Sequence, residues 1–171
     1  MKVEKAAIWG LSVVAQAIQY RRSDLVRALV LSNTAHKIGA PDMLNARIDT
    51  ILTNGLPGMV DPIMERWFTP PFRTDDNALY AGCRAMLIRQ PVDGNCGTCV
   101  AIRDADYTGA AGRIAVPTLC LVGDQDGSTS PDLVKSLAAL VPCSALSKFR
   151  AAATFPVSSS QPATAPPSAL L

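Results

Sequence analysis

The residues with the clearest capacity for chemistry are a serine, an aspartate and a single histidine. Ser12 lies in Gly10-Leu11-Ser12, directly after the apolar run Ala6-Ala7-Ile8-Trp9 and directly before a helical pattern. A serine on a sharp turn between a buried strand and a helix has its Oγ lifted above the sheet, which is the arrangement of a nucleophile elbow. The backbone N–H of the next residue, Val13, would sit at a helix N-terminus and could help stabilise an oxyanion. The elbow pattern is Gly-x-Ser-x-Gly, and its fifth position here is Val14. A serine N-cap accounts for Ser12 equally well, because a hydroxyl at a helix start accepts from the first free N–H groups.

The second candidate is Asp126 in Gly123-Asp124-Gln125-Asp126-Gly127, which follows the apolar run Val116 to Val122. A carboxylate just past the carboxyl end of a parallel strand is where an α/β sheet places functional groups. There it can orient a catalytic histidine and stabilise its imidazolium form. Asp and Gly also favour plain turns, so the segment alone does not decide between the two. A calcium loop is excluded, because the terminal glutamate is absent. His36, in Asn33-Thr34-Ala35-His36-Lys37, precedes the acid in the chain, whereas the hydrolase order is serine, acid, histidine. A structural or substrate-lining role suits it better than that of a base. Cys96-Gly97-Thr98-Cys99 has neither a second ligand pair for zinc nor a thioredoxin-like strand before it, so no metal site is expected.

These residues need a scaffold, and the pattern supplies one. Ala6 to Trp9 reads as a buried strand, Val13 to Tyr20 as a helix, and Leu25 to Ser32 as containing a second buried strand. That is a βαβ unit with a parallel pair. Helices are expected over Pro41 to Thr53, from Asp61-Pro62 to Arg66, from Asp75-Asp76-Asn77 to about Arg89, and from near Gly97 to Asp106. Val116 to Val122 returns to a strand, and Pro131 to Leu140 forms a helix. Trp67, Met43, Met64 and Met86 would pack the helical insert, which can serve as the lid of an apolar pocket.

Composition narrows the function classes. The 171 residues carry a formal net charge of +2, which gives no reason to expect a nucleic-acid partner or an anionic membrane. With 49% hydrophobic residues the chain can bury a core, yet no apolar run reaches the length of a bilayer span. Met1 to Lys5 lacks the apolar centre of a signal peptide, so a cytoplasmic protein with reduced thiols is expected. Five cysteines fit poorly with a disulfide framework.

Several segments taken together resemble one family. They are Gly10-Leu11-Ser12; Asp24 to Ala35; Met64-Glu65-Arg66-Trp67-Phe68-Thr69-Pro70; Ile102 to Asp106; and Val116 to Thr129. Over roughly residues 3 to 142 the chain is similar to the 3-oxoadipate enol-lactone hydrolases, α/β-hydrolases of the β-ketoadipate route of aromatic degradation. The resemblance implies a partial α/β-hydrolase fold, with parallel sheet strands, flanking helices and a helical cap insert. Residues 1–33 would be the nucleophile-bearing part of the core and 34–112 the cap. Residues 113–149 would bring the acid-bearing strand and helix, and 150–171 a disordered tail. The resemblance also implies cofactor-free opening of a small-molecule lactone by a Ser-His-Asp triad. Ser12 matches the nucleophile, Asp126 the acid and Val13 the oxyanion N–H, and Trp67 and His36 are candidates to line the substrate. It implies nothing about oligomeric state.

The chain departs from the family in three ways. The family typically reads Gly-Leu-Ser-Met-Gly-Gly before Val-Ala-Gln, whereas Ser12 runs straight into Val13-Val14-Ala15-Gln16. A β-branched Val14 is therefore expected to clash with the strand or relax the turn. The strands expected before the nucleophile are missing, so the chain looks N-terminally truncated, with a long apolar sheet edge. No histidine follows the acid. Read one base back beneath Ala153 to Gln161, degenerate codons permit Gly-His-Ile-Pro-Cys-Val-Glu-Gln-Pro, which resembles the family's histidine segment. Little or no lactonase activity is expected of this polypeptide alone. The alternatives are an esterase or haloperoxidase-like hydrolase of the same fold, or a non-catalytic remnant.

Overall fold

The computed structural model describes residues 4–150 and 153–154. They form two compact units, Met1–Lys37 with Asp106–Leu171, and Ile38–Ala105, within those described residues. The second unit, Ile38–Ala105, falls within the span 34–112 expected for the helical insert.

The first unit is a parallel sheet with flanking helices. Its strands are β1 (Ala6–Leu11), β2 (Val26–Ser32), β3 (Thr118–Gly123) and β4 (Ser144–Phe149), in spatial order β1-β2-β3-β4 and all parallel. β2 and β3 are the inner strands. Their near-continuous apolar sequence suits a strand covered on both faces. Leu29, Leu31, Cys120 and Val122 are buried there, against Ala15, Val134 and Leu137 from the helices. Those helices are α1 (Val14–Arg21) and α7 (Pro131–Leu140). α7 starts where its sequence dictates. The Ser130 hydroxyl accepts from Leu133 N–H at 3.3 Å and Pro131 occupies the first turn.

The second unit is helical, with α2 (Pro41–Asn54), α3 (Val60–Trp67), α4 (Ala78–Ile88) and α5 (Val92–Asp104). Gly55 ends α2 at φ 67°, a conformation glycine adopts without penalty. Asn77 caps α4, its Oδ1 accepting from Leu79 N–H and Tyr80 N–H. α6 (Thr108–Ala111) belongs to the first unit.

Some expectations differ from the structure. β1 lies at the sheet edge, as the expected apolar edge requires, and is not the buried strand its apolar run suggests: Trp9 is 74% exposed and Leu11 is also exposed. β4 was not foreseen; its half-buried, mixed-polarity sequence lacks the apolar run that marks β2 and β3. α5 begins at Val92 rather than near Gly97, because Pro91 sets its start and the buried Cys99 holds its middle. Most of the tail expected to be disordered lies outside the described residues, but Ala153 and Thr154 in it are buried. No helix among the described residues is long and apolar enough to cross a membrane.

Candidate functional site

The carboxyl ends of three neighbouring strands bring the candidate residues together. Leu11 pairs with Ser32, and Ser32 pairs with Leu121, so the residues just past β1, β2 and β3 share one rim of the sheet. Ser12 follows β1, Asn33 follows β2, and Asp126 sits in the turn that follows β3.

Ser12 takes φ 56°, in the left-handed region that non-glycine residues seldom occupy. It does not cap α1: the N-cap is Val13, with no side-chain cap bond. The N-cap reading of Ser12 is therefore overturned, and the strained turn is what the elbow geometry requires. Strand and helix meet closely below it. A Cβ built on Gly10 would lie 2.6 Å from Ala15 Cβ and 2.9 Å from Ala15 N, so only glycine fits. Val14, expected to clash, is 57% exposed. The small residue facing Gly10 is Ala15, one position further along the helix. Val13 is buried at the N-cap, where a helix provides no internal acceptor for its first N–H groups.

Asp126 is buried and saturated with donors. Its Oδ1 accepts from Ser128 N–H (2.7 Å), Thr129 N–H (2.9 Å) and the Thr154 hydroxyl (2.7 Å). Its Oδ2 accepts from Asn33 Nδ2 (2.7 Å) and the Thr129 hydroxyl (2.8 Å). Charge-assisted bonds of this kind stabilise a buried carboxylate, which would otherwise be costly to bury. Asn33 stands at φ 46°, and its Oδ1 accepts from the Ser32 hydroxyl at 2.8 Å, which turns the amide N–H₂ toward the acid. A second tie joins α1, the helix that follows Ser12, to the same rim. Gln16 Nε2 donates to Thr34 Oγ1 at 3.0 Å and to the Ala35 carbonyl at 2.9 Å.

His36 is not among the partners of Asp126. Its carbonyl accepts from Tyr107 N–H at 2.8 Å, and its Nδ1 is buried without a hydrogen-bond partner among the described residues. Trp67, half-buried at the end of α3, belongs to the other compact unit. A cavity of about 190 Å³ in the first unit is lined by Gln16, Tyr20, Tyr107 and Arg113 among others; neither Ser12 nor Asp126 lines it. Among the described residues no group of three or more His, Cys, Asp or Glu side chains could hold a metal ion. Burial pushes the Cys120 thiol up to about 11 and raises Cys99 as well, so neither is an activated nucleophile.

Asn33, Thr129 and Thr154 were missed by sequence reasoning. The available signal for Asn33 was the polar trio Ser32-Asn33-Thr34 immediately after an apolar strand, since buried polar residues at a strand's carboxyl end need partners. Thr129 sits three residues after the acid, where a turn hydroxyl commonly bonds back.

Comparison with known proteins points the same way as the geometry. No protein-family model matches the chain. It is 26% and 28% identical over 133 residues to two curated proteins of Acinetobacter baylyi, 3-oxoadipate enol-lactonase 2 and 3-oxoadipate enol-lactonase 1. Those matches cover 76% of this chain, which spans about half (50%) of each relative's length. Among solved structures, the enol-lactonase of Burkholderia xenovorans is similar at TM-score 0.81 and 27% identity, covering 85% of this chain and 57% of that one. A hydrolase of Pseudomonas aeruginosa is similar at TM-score 0.83 and 26% identity, covering 88% and 58%. With its parallel sheet and flanking helices the chain has a partial α/β-hydrolase fold, and among proteins of that fold it is similar to the 3-oxoadipate enol-lactonases.

Proposed function

We propose that this chain carries the nucleophile and acid positions of a lactone hydrolase acting on 3-oxoadipate enol-lactone, in the β-ketoadipate route of aromatic degradation. The reaction is the opening of a small-molecule lactone in the cytoplasm, with no cofactor. The single observation that carries the reading is the strained Ser12 turn, φ 56°, locked above the Gly10–Ala15 contact. A non-glycine residue held there stores about 1–2 kcal/mol of strain, and such strain clusters at functional sites.

In the full reaction Ser12 Oγ attacks the lactone carbonyl carbon. A base takes the hydroxyl proton and returns it to the departing enol oxygen, and water then hydrolyses the acyl-serine. Val13 N–H is assigned to the developing oxyanion. Asp126 is assigned to hold and charge-stabilise the base. Trp67 and His36 are assigned to line the substrate. In this chain the carboxylate of Asp126 is engaged by amides and hydroxyls instead of an imidazole. Loss of one triad member lowers kcat by roughly 10⁴–10⁶, so turnover by this polypeptide alone is reduced by that order.

Purified protein assayed on the enol-lactone beside the Burkholderia xenovorans enzyme tests both parts. Residual turnover should be slow and should disappear in Ser12→Ala. A rate untouched by Ser12→Ala removes Ser12 as the nucleophile. A serine-dependent rate near that of the longer enzyme removes the inactivity.

A further inference from the structure

We infer that the cavity between α1 and α6 is a binding site for a small single-ring carboxylic acid that carries an N–H or O–H donor at the end away from its carboxylate. The residues that line it all belong to the first compact unit, and neither Ser12 nor Asp126 is among them.

Two unpaired acceptors define one end of the ligand. Gln16, Gln19 and Tyr20 stand at i, i+3 and i+4 on α1 and so share a face, and all three line the cavity. Gln16 is 3% exposed. Its Nε2 is fully committed, donating one N–H to Thr34 Oγ1 and the other to the Ala35 carbonyl. The Ala35 carbonyl can only accept, which fixes the amide orientation and leaves Oε1 as the remaining atom. Gln16 Oε1 and Gln19 Oε1 are both buried without a hydrogen-bond partner among the described residues. Buried polar atoms are nearly always paired, so these two call for donors. An amino group, with two N–H donors, matches them in number.

The walls and the mouth define the rest. The Tyr20 and Tyr107 rings lie 6.1 Å apart at 56°, and Ala111 and Ile114 add buried apolar surface. Aromatic faces beside aliphatic groups suit a flat ring. Arg113 carries the one charge among the described lining residues. Its Nη1 donates to the Gly109 carbonyl at 2.7 Å, which anchors the guanidinium. Arg113 and Tyr20 are exposed, so the mouth lies with them and Gln16 forms the floor. Arg113 repels a cation and pairs with a carboxylate. The volume is about 190 Å³. An apolar cavity of about 150 Å³ binds benzene, so one ring with a small substituent at each end fits. Water alone is a poor occupant, because each water needs two to four polar partners and the apolar walls supply none.

The test uses the full chain and 4-aminobenzoate, with benzoate and aniline as controls. A heteronuclear NMR titration follows backbone and glutamine side-chain amides. 4-Aminobenzoate should bind saturably and move the amides of α1 and of residues 107–114 most, with the Gln16 and Gln19 side chains among them. Benzoate, which lacks the donor, and aniline, which lacks the anion, should each bind roughly 10-fold more weakly. Arg113→Gln and Gln19→Leu, both outside the fully buried core, should each lower the affinity for 4-aminobenzoate by roughly 10-fold. Should either variant not fold, the comparison of the three ligands on the parent chain decides alone. Absence of saturable binding, with the cavity holding water only, overturns the inference. So does benzoate binding as well as 4-aminobenzoate, an affinity unchanged in both variants, or shifts centred on Ser12 and Asp126.

Discussion

Gly10→Ala is the substitution whose sign is most sharply fixed by the structure. Elsewhere in a strand, replacing glycine by alanine stabilises by roughly 0.5–1 kcal/mol, because the unfolded chain loses freedom. At Gly10 the added Cβ would meet Ala15 Cβ at 2.6 Å, Ala15 N at 2.9 Å and Ala15 Cα at 3.1 Å. Carbon atoms prefer about 3.5–4.0 Å, so β1 and the first turn of α1 must separate by roughly 1 Å. Backbone atoms cannot rotate away as a side chain can. α1 is also pinned by Gln16 to Thr34 and Ala35, which resists that motion. Overpacking of this kind costs about 1–3 kcal/mol. At roughly 2–4 °C per kcal/mol for a chain of this size, the melting temperature falls by about 2–12 °C. Adding Ala15→Gly removes the Cβ–Cβ overlap but leaves the approach to the backbone nitrogen, so it should rescue only part of the loss. Gly97→Ala supplies the opposite sign: nothing lies within 4 Å of its Cβ position in α5, and the helix should gain about 1 kcal/mol. Urea denaturation followed by circular dichroism reads all four proteins. A Gly10→Ala chain as stable as the parent, or more so, would refute the close approach on which the elbow argument depends.

Three further outcomes are expected. Ser12→Gly should melt higher than Ser12→Ala, since relief of about 1–2 kcal/mol of left-handed strain exceeds the roughly 0.5–1 kcal/mol entropic penalty of glycine; equal melting temperatures would show that the turn is unstrained. Asp106 is held at about 2 by the Thr108 hydroxyl and N–H and by Lys37, against 3.8 unfolded, so its contribution is present above pH 3.8 and lost as pH falls to about 2. Asp106→Asn should therefore flatten the stability profile in that window, and an unchanged profile would count against those contacts. Of the thiols, exposed Cys143 should react with an aromatic disulfide at once, whereas buried Cys120 and Cys99 should react only on unfolding; rapid native modification of Cys120 would contradict its burial within β3.

Much of this architecture is legible in sequence, and the failures share a cause. β2 and β3 are found because an inner parallel strand is apolar on both faces. α2, α4 and α7 are found because Pro41, Asn77, Ser130 and Pro131 act locally at helix starts. The apolar run of β1 reads as buried because such a run looks the same at an edge as at a centre; only the comparison with the family's strand order points to an exposed edge. The site divides similarly. The positions of Ser12 and Asp126 follow from a strand end and a turn. The partners of Asp126 do not, since Asn33 is 93 residues away and Thr154 is 28 residues away. Thr154 lies in an Ala/Ser/Pro stretch with no period or charge to mark it.

The error over Val14 is the most instructive, because it locates what the elbow requires. The Gly-x-Ser-x-Gly pattern places the small residue two positions after the serine. Successive helix residues are about 100° apart, so which one faces the strand depends on where the helix begins. Here the N-cap is Val13, one residue after Ser12, and the face turned to Gly10 carries Ala15. Val14 points to solvent, and its β-branch meets no strand. The physical requirement is therefore a pair of small residues at the strand–helix contact, and a shifted helix start can satisfy it with a different residue. By the same reasoning Ala15→Val, not a change at Val14, should open the elbow. Ala15 is fully buried, so two added methyls there press directly on Gly10. Val14→Gly should leave Ser12 where it is and alter stability only by the helix penalty of about 1 kcal/mol.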